Sequence, residues 1–303
     1  MKFNLMFPMR AVKHYAEWIE EGSLGEVARR AEEAGFEGFS MSEHPYPDRE
    51  WLADGGHHAF DPFVSLAIAA EATERIRLIT YLMVVGYRNP YLGGKAVASL
   101  DTLSNGRLTV GVGAGYLKSE FDALGADFAN RGRKLDEGIA AMRAMWRGEE
   151  HDGPEFGRSG HASLPLPTTP GGPPIWVGGN SKAARRRAVE IGDGWMPIAQ
   201  SAEMAAITRT PALDGIDPLA AQIADLNTRR ADRGAPPCDV VFAPFEARIL
   251  RRDGIEAFVE ALAPAIGEYE AAGVTWLTIE PTSRSLSRFR EDLSVLRDGL
   301  VRR

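Results

Sequence analysis

The chain has 303 residues, 44% hydrophobic and 25% charged, with a formal net charge of −7. That is the mix of a folded, water-facing protein, and the acidic balance argues against nucleic acid or an anionic membrane as its main partner. The single cysteine, Cys238, excludes an internal disulfide and a thiolate metal cluster.

The opening MKFNLMFPMR holds too short an apolar run for a signal peptide, and no segment approaches the roughly 20 apolar residues of a membrane span. A cytoplasmic location is therefore expected. Strand-like and helix-like runs then alternate. KFNLMF reads as a strand. LGEVARRAEEAG reads as a helix, with Leu24, Val27, Ala28 and Ala31 at helical spacing and Gly35 just past its end. FEGFSMSEH is a second strand ending in polar residues. Asp61-Pro62 opens the next helix, the aspartate as N-cap and the proline at the first helical position, with Phe63, Leu66, Ala67 and Ala70 on its inner face.

RIRLITYLMVV is the third strand, KAVASLDTLS the third helix and RLTVGVG the fourth strand. The helix from about Arg131 to Arg147 carries Leu135, Ile139, Met142 and Trp146 on one stripe. Residues 148–173 are rich in proline and glycine, lack periodicity and read as an excursion. PIWVGG, GWMPIA, DVVFAPF and TWLTIEP resume the strands, with helices at 182–191, 217–233, 255–271 and 286–300. Eight strand–helix units predict a parallel sheet closed into a (β/α)8 TIM barrel, one domain over residues 1–303. A doubly wound open sheet is the alternative.

Function in such a barrel gathers where strands end. Gly178-Gly179-Asn180-Ser181 lies between a strand and a helix. It is either a plain turn with a serine cap or a phosphate cradle of helix-start N–H groups. Gly111, Gly113 and Gly115 alternate along the fourth strand. They either thin it for packing or clear one face for a flat ring, and Tyr116 in the sixth position breaks the G-x-G-x-x-G dinucleotide fingerprint. His44, at a polar strand end, is either structural or a proton-exchanging group near neutral pH. The adjacent His57 and His58 make a poor metal pair, with no H-E-x-x-H or C-x-x-C beside them, so no metal site is expected. Their glycine-flanked loop reads as a rim touching substrate. Arg185, Arg186 and Arg187 read as a solvated helix face.

Three segments together carry a resemblance. SEHPY, the run RIRLITYLMVVGYRNPYLGGKAVASLDTLSNGRLTVGVGAGYLKSEFDALGADFANRGRKLDE, and PIWVGGNSKAARRRAVEIGDGWMP occur in this order at this spacing. The chain resembles the luciferase-like monooxygenase superfamily over nearly its whole length, and within it the branch that uses the deazaflavin coenzyme F420. The resemblance implies a TIM barrel with the cofactor ring in its mouth and a bulge, often a non-proline cis peptide, at Tyr81-Leu82. It implies Glu43 and His44 beside the ring, and Gly113, Ala114 and Gly115 kept small to leave it room. The cofactor phosphate maps to Gly178, Gly179, Asn180 and Ser181, with Ala183 and Ala184 at the helix start. Two departures stand out. Dehydrogenases of that branch often carry a glutamate where this chain has Ala114, and a tryptophan four residues after the histidine, where it has Asp48. Trp51 substitutes for that tryptophan only where the loop bends back.

The leading expectation is an F420-dependent oxidoreductase that moves a hydride between the deazaflavin and a small organic substrate, with His44 exchanging the proton. An FMN-dependent monooxygenase served by a flavin reductase is the alternative. LTVGVGAG, in place of the W-N-x-V-T pattern of FMN branches, favours the deazaflavin. A non-catalytic cofactor-binding protein is the third reading. Relatives are commonly dimers, so a homodimer rests on the resemblance alone. Residues 148–173, 45–60 and 200–216 are expected to shape the substrate pocket.

Overall fold

The computed structural model describes residues 1–16, 24–203, 205 and 210–302; part of the 200–216 loop lies outside them. Eight parallel strands follow one another around a closed barrel. They are β1 (Lys2–Met6), β2 (Gly38–Met41), β3 (Arg77–Val84), β4 (Leu108–Gly113), β5 (Ile175–Gly178), β6 (Gly194–Met196), β7 (Asp239–Phe242) and β8 (Trp276–Ile279). β8 pairs back onto β1, with Leu5 opposite Ile279. Outward-facing strand residues are covered by helices and inward-facing ones fill the lumen, so the strands read as nearly continuous apolar runs. Ile79, Trp176, Met196, Val241 and Trp276 form the lumen plug, with Tyr81 and Leu82 packed on it.

The surrounding helices are α1 (Leu24–Ala34), α2 (Arg49–Ala53), α3 (Pro62–Ala72), α4 (Pro90–Leu103), α5 (Lys118–Ala123), α6 (Arg131–Trp146), α7 (Lys182–Glu190), α8 (Ile216–Ala231), α9 (Ala247–Asp253), α10 (Ile255–Ala271) and α11 (Leu286–Leu296). The stripes read from α1 and α6 are buried as spaced. Two expectations need correction. The inner face of α3 extends to Ser65 and Ala69 beside Leu66 and Ala70, while Phe63 and Ala67 are half-buried and pack against the same core. Ser65 tolerates burial because its hydroxyl donates to Asp61 O at 2.8 Å. And α4 begins at Pro90, not near Lys95. Asn89 accepts Tyr91 N at 2.9 Å and Pro90 fills the first helical position, the same start device as Asp61-Pro62.

The excursion between α6 and β5 is irregular and fastened to the helices beneath it. Fully buried Asp101 accepts both Thr169 N (2.8 Å) and Thr169 Oγ1 (3.1 Å). Glu137 accepts the N–H groups of Glu155 and Phe156, each at 2.8 Å, and Tyr91 Oη donates to Phe156 O at 2.5 Å.

Candidate active site

At the mouth, β3 departs from regular pairing. Its register against β4 shifts between Thr80 and Met83, and the Tyr81–Leu82 peptide is cis. The bulge explains the glycines of the fourth and fifth strands. A Cβ on Gly111 would lie 2.2 Å from Thr80 O and 3.1 Å from Leu82 Cδ2; on Gly113, 3.1 Å from Leu82 Cδ1; on Gly178, 2.2 Å from that same methyl. Those three glycines therefore make a socket for the bulge and for Leu82, and Leu82 lies over the wall they were expected to leave bare. Gly115 does not share their face. Its φ is +80°, and a Cβ there would strike Phe121 and Val84, at 2.6 and 2.8 Å. Ala114 is half-buried beside them.

Glu43, buried at the end of β2, seats the bulge from the other side. Its Oε2 accepts Val84 N at 2.7 Å, and its Oε1 accepts from Arg88. Burial pushes the Glu43 carboxyl above the usual range, with Arg88 and the Val84 amide opposing. The structure thus gives Glu43 a partner in Arg88 that sequence reading missed. Ser42 Oγ, next to it, is buried with no hydrogen-bond partner among the described residues.

His44 is held by a residue no motif pointed to. Glu120 on α5 is fully buried. Its Oε2 lies 3.0 Å from His44 Nδ1 and accepts Tyr87 Oη at 2.9 Å, while its Oε1 accepts Tyr46 N at 3.0 Å. One signal could have found it: Leu117, Glu120, Phe121 and Leu124 share one helical stripe, so an acid sits on the apolar face. A carboxylate only accepts, so His44 donates from Nδ1 and keeps Nε2 as an acceptor. Burial, then Glu120, pushes the Tyr87 hydroxyl well above its ordinary value, and the same causes push Tyr116 up to about 12. Both stay protonated near neutrality.

The 45–60 loop does bend back. Asp48 caps α2, accepting Trp51 N at 2.7 Å, and takes the Ser119 hydroxyl. Trp51 then lies on His44, ring centroids 4.5 Å apart and planes 33° apart. His57 stands edge-on to the same ring at 5.0 Å, half-buried between it and the exposed His58. Across the mouth, at the end of β8, Glu280 accepts Met9 N at 3.2 Å, and burial raises its carboxyl against the pull of Arg10 and Arg251.

The fifth-strand loop is braced on several sides. Gly179, at φ +106°, spends its own N–H on Met196 O at 3.0 Å, so it shapes the turn rather than donating outward. Trp195 Nε1 donates to Gly179 O at 2.9 Å. Asn180 bridges to Ile198 O and Pro211 O, both at 2.9 Å, and accepts Ile198 N. Ser181 caps α7, accepting Ala184 N at 3.1 Å. The N–H groups of Asn180, Ser181, Lys182 and Ala183 have no acceptor among the described residues. The arginines behind them are not a solvated face. Arg185 Nη1 donates to Asn180 O at 2.6 Å, bracing the turn. Arg187 is buried and paired with Asp136, Nε to Oδ1 2.5 Å. Arg186 is the exposed one of the three, pairing with Glu190.

The sequence pattern of the luciferase-like monooxygenase family matches residues 1–297. The chain belongs to that family. An F420-dependent glucose-6-phosphate dehydrogenase of Gordonia bronchialis is 31% identical over 191 residues, which are 61% of this chain and 55% of that protein. The match thus spans little more than half of that relative's length. Two solved structures share the fold. The monooxygenase RslO1 of Streptomyces bottropensis has a TM-score of 0.75 at 21% identity, covering 100% of this chain and 99% of its own. An F420-dependent secondary alcohol dehydrogenase, solved with an F420–acetone adduct, has a TM-score of 0.73 at 18% identity, covering all of both chains.

Proposed function

We propose that the protein is an F420-dependent oxidoreductase that moves a hydride between the deazaflavin and a small organic substrate. The observation that carries this reading is the Glu120–His44 pair at the barrel mouth, with Nε2 left open as an acceptor. The residues present fit the cofactor. The unpaired amides from Asn180 to Ala183 at the start of α7 suit its phosphate, and the partnerless Ser42 hydroxyl suits a polar edge of its ring. Glu43 acts through the bulge it seats. Tyr81, Leu82, Gly113, Ala114, Gly115, Gly178 and Gly179 shape the wall, and Asn180, Ser181, Ala183 and Ala184 the cradle. Bound there, the deazaflavin supplies the hydride-accepting ring.

On the protein's side, Glu120 fixes the His44 tautomer, Trp51 covers one ring face, and Nε2 takes the hydroxyl proton of an alcohol as its carbon gives up the hydride. In reverse, the same nitrogen returns the proton to a carbonyl. The F420-dependent relative supports this cofactor over FMN. A homodimer is also part of the proposal: α3 and α4 leave Val64, Ile68, Leu92 and Leu103 exposed, an apolar face of the kind a second copy covers.

Fluorescence titration of the purified protein with F420 and with FMN tests the cofactor, and absorbance-followed turnover with His44→Gln tests the proton role. F420 saturation with lost turnover in the variant is expected. Saturation by FMN alone would overturn the reading in favour of the monooxygenase.

A further inference from the structure

His57 was not needed to build the site, yet its placement is specific. Its Nδ1 lies 3.1 Å from the His58 carbonyl. A carbonyl only accepts, so His57 also donates from Nδ1 and keeps Nε2 as a lone-pair acceptor. Its ring meets His44 edge-on at 5.0 Å and Trp51 at 5.6 Å, so the three rings pack as one cluster. The turn that brings it there depends on glycine: Gly56 N donates to Trp51 O at 3.0 Å, and a Cβ on Gly56 would lie 2.3 Å from the Trp51 ring. His44 is nearly closed off, its side chain 10% exposed, while His57 adjoins the exposed His58 and Gly55. Two packed imidazoles, each with Nε2 left as an acceptor, therefore lie one behind the other, the outer one beside exposed loop residues.

We propose that His57 is the proton relay of the site, passing the proton that His44 takes from substrate out to bulk water and returning it in the reverse reaction. The proposal rests on the assignment of His44 as the proton-exchanging group. The balance is simple. The substrate's hydroxyl proton goes to His44 Nε2 and its hydride to the cofactor; His44 then hands the proton to His57 Nε2, which releases it to water or buffer. The charged groups acting on His57 are His44, Arg10 and Glu120. Burial and the His44 charge hold it down to about 4, so it is empty at working pH and does not keep a proton. The part of that depression due to His44 disappears once the proton has left His44, which eases the handover.

The test is His57→Asn, assayed for F420 turnover in weakly buffered solution and again with added imidazole. A relay predicts a kcat lowered roughly 10–100-fold, within reach of a positioned proton-transfer group. KM for substrate should not change, and free imidazole should restore most of the loss. Wild-type kcat in weak buffer, or a loss that imidazole leaves untouched, would overturn it. A second measurement needs no turnover. In His44→Gln, followed by NMR of the ring protons, the His57 midpoint should rise from about 4 toward 6.5; an unmoved midpoint means that the two rings do not communicate and also overturns the relay. Retained turnover in His44→Gln refutes the His44 assignment instead, and F420 titration of each variant keeps the two failures apart.

Discussion

The socket around Leu82 makes a quantitative prediction, because its two tightest glycines face different kinds of obstacle. In Gly111→Ala the new methyl would meet the Thr80 carbonyl at 2.2 Å, with Met196 Sδ at 2.9 Å. A carbonyl in the barrel wall cannot rotate aside, so β3 and β4 must separate. Overpacking of this kind costs about 1–3 kcal/mol, and the fewer unfolded conformations of alanine return only about 0.4–1 kcal/mol. The net expectation is a loss of about 1.3 kcal/mol. At about 2.1 cal/mol/K of unfolding entropy per residue, the 303-residue chain loses about 2 °C of Tm. In Gly178→Ala the obstacle is a Leu82 methyl, also at 2.2 Å, and a leucine terminus can turn away. That variant should lose about 1 kcal/mol or less, and should weaken cofactor affinity instead, because Leu82 then swings into the mouth. Differential scanning calorimetry with F420 titration reads both effects. Adding Leu82→Ala should relieve the Gly178→Ala affinity defect while leaving Gly111→Ala unstable. Relief of both, or of neither, would refute the division between backbone and side-chain obstacles.

Three further outcomes follow from the site. Glu120→Gln keeps the shape but lets an amide N–H face donors, disturbing the His44 tautomer; kcat should fall about 10²-fold or more in a stopped-flow assay. Ser181→Ala removes the cap on Ala184 N; stability should drop by about 1 kcal/mol in urea unfolding, with weaker F420 binding. For pH, the unfolded chain binds a proton on His57 near 6.5 and the folded chain near 4. Between those values the unfolded state holds more protons, so folding stability falls as pH drops through that window, by up to about 3 kcal/mol. His57→Gln should flatten that part of the profile in denaturant titrations between pH 7 and pH 4.

Most of the architecture was legible because it rests on periodicity. Alternating strand and helix runs placed all eight strands, and the Asp61-Pro62 start was read from residue types alone. The same logic at Asn89-Pro90 would have set the start of α4, but the apolar period is weak there, with Gly93 and Gly94 in the first turns. The site was harder to read because its decisive contacts are long-range. Glu120 reaches His44 over 76 positions and Glu43 reaches Val84 over 41, and nothing local in either segment announces the other. The glycines of β4 were visible but their purpose was not. A ring and a leucine ask for the same empty space, and only the shifted register of β3 shows that the leucine takes it. The triple arginine misled for a related reason: helical spacing says which residues share a side, not which of them meet an aspartate on the preceding helix.

The excursion before β5 is fastened at Asp101, Glu137 and Tyr91, yet its outermost residues, 158–162, are all exposed or nearly so and carry little of that fastening. Such a stretch behaves as a splice point. Extra sequence inserted beside Gly160 would be carried outside the clasps, so an affinity tag or a reporter module could be grafted there without reopening the barrel seam between the fourth and fifth strands.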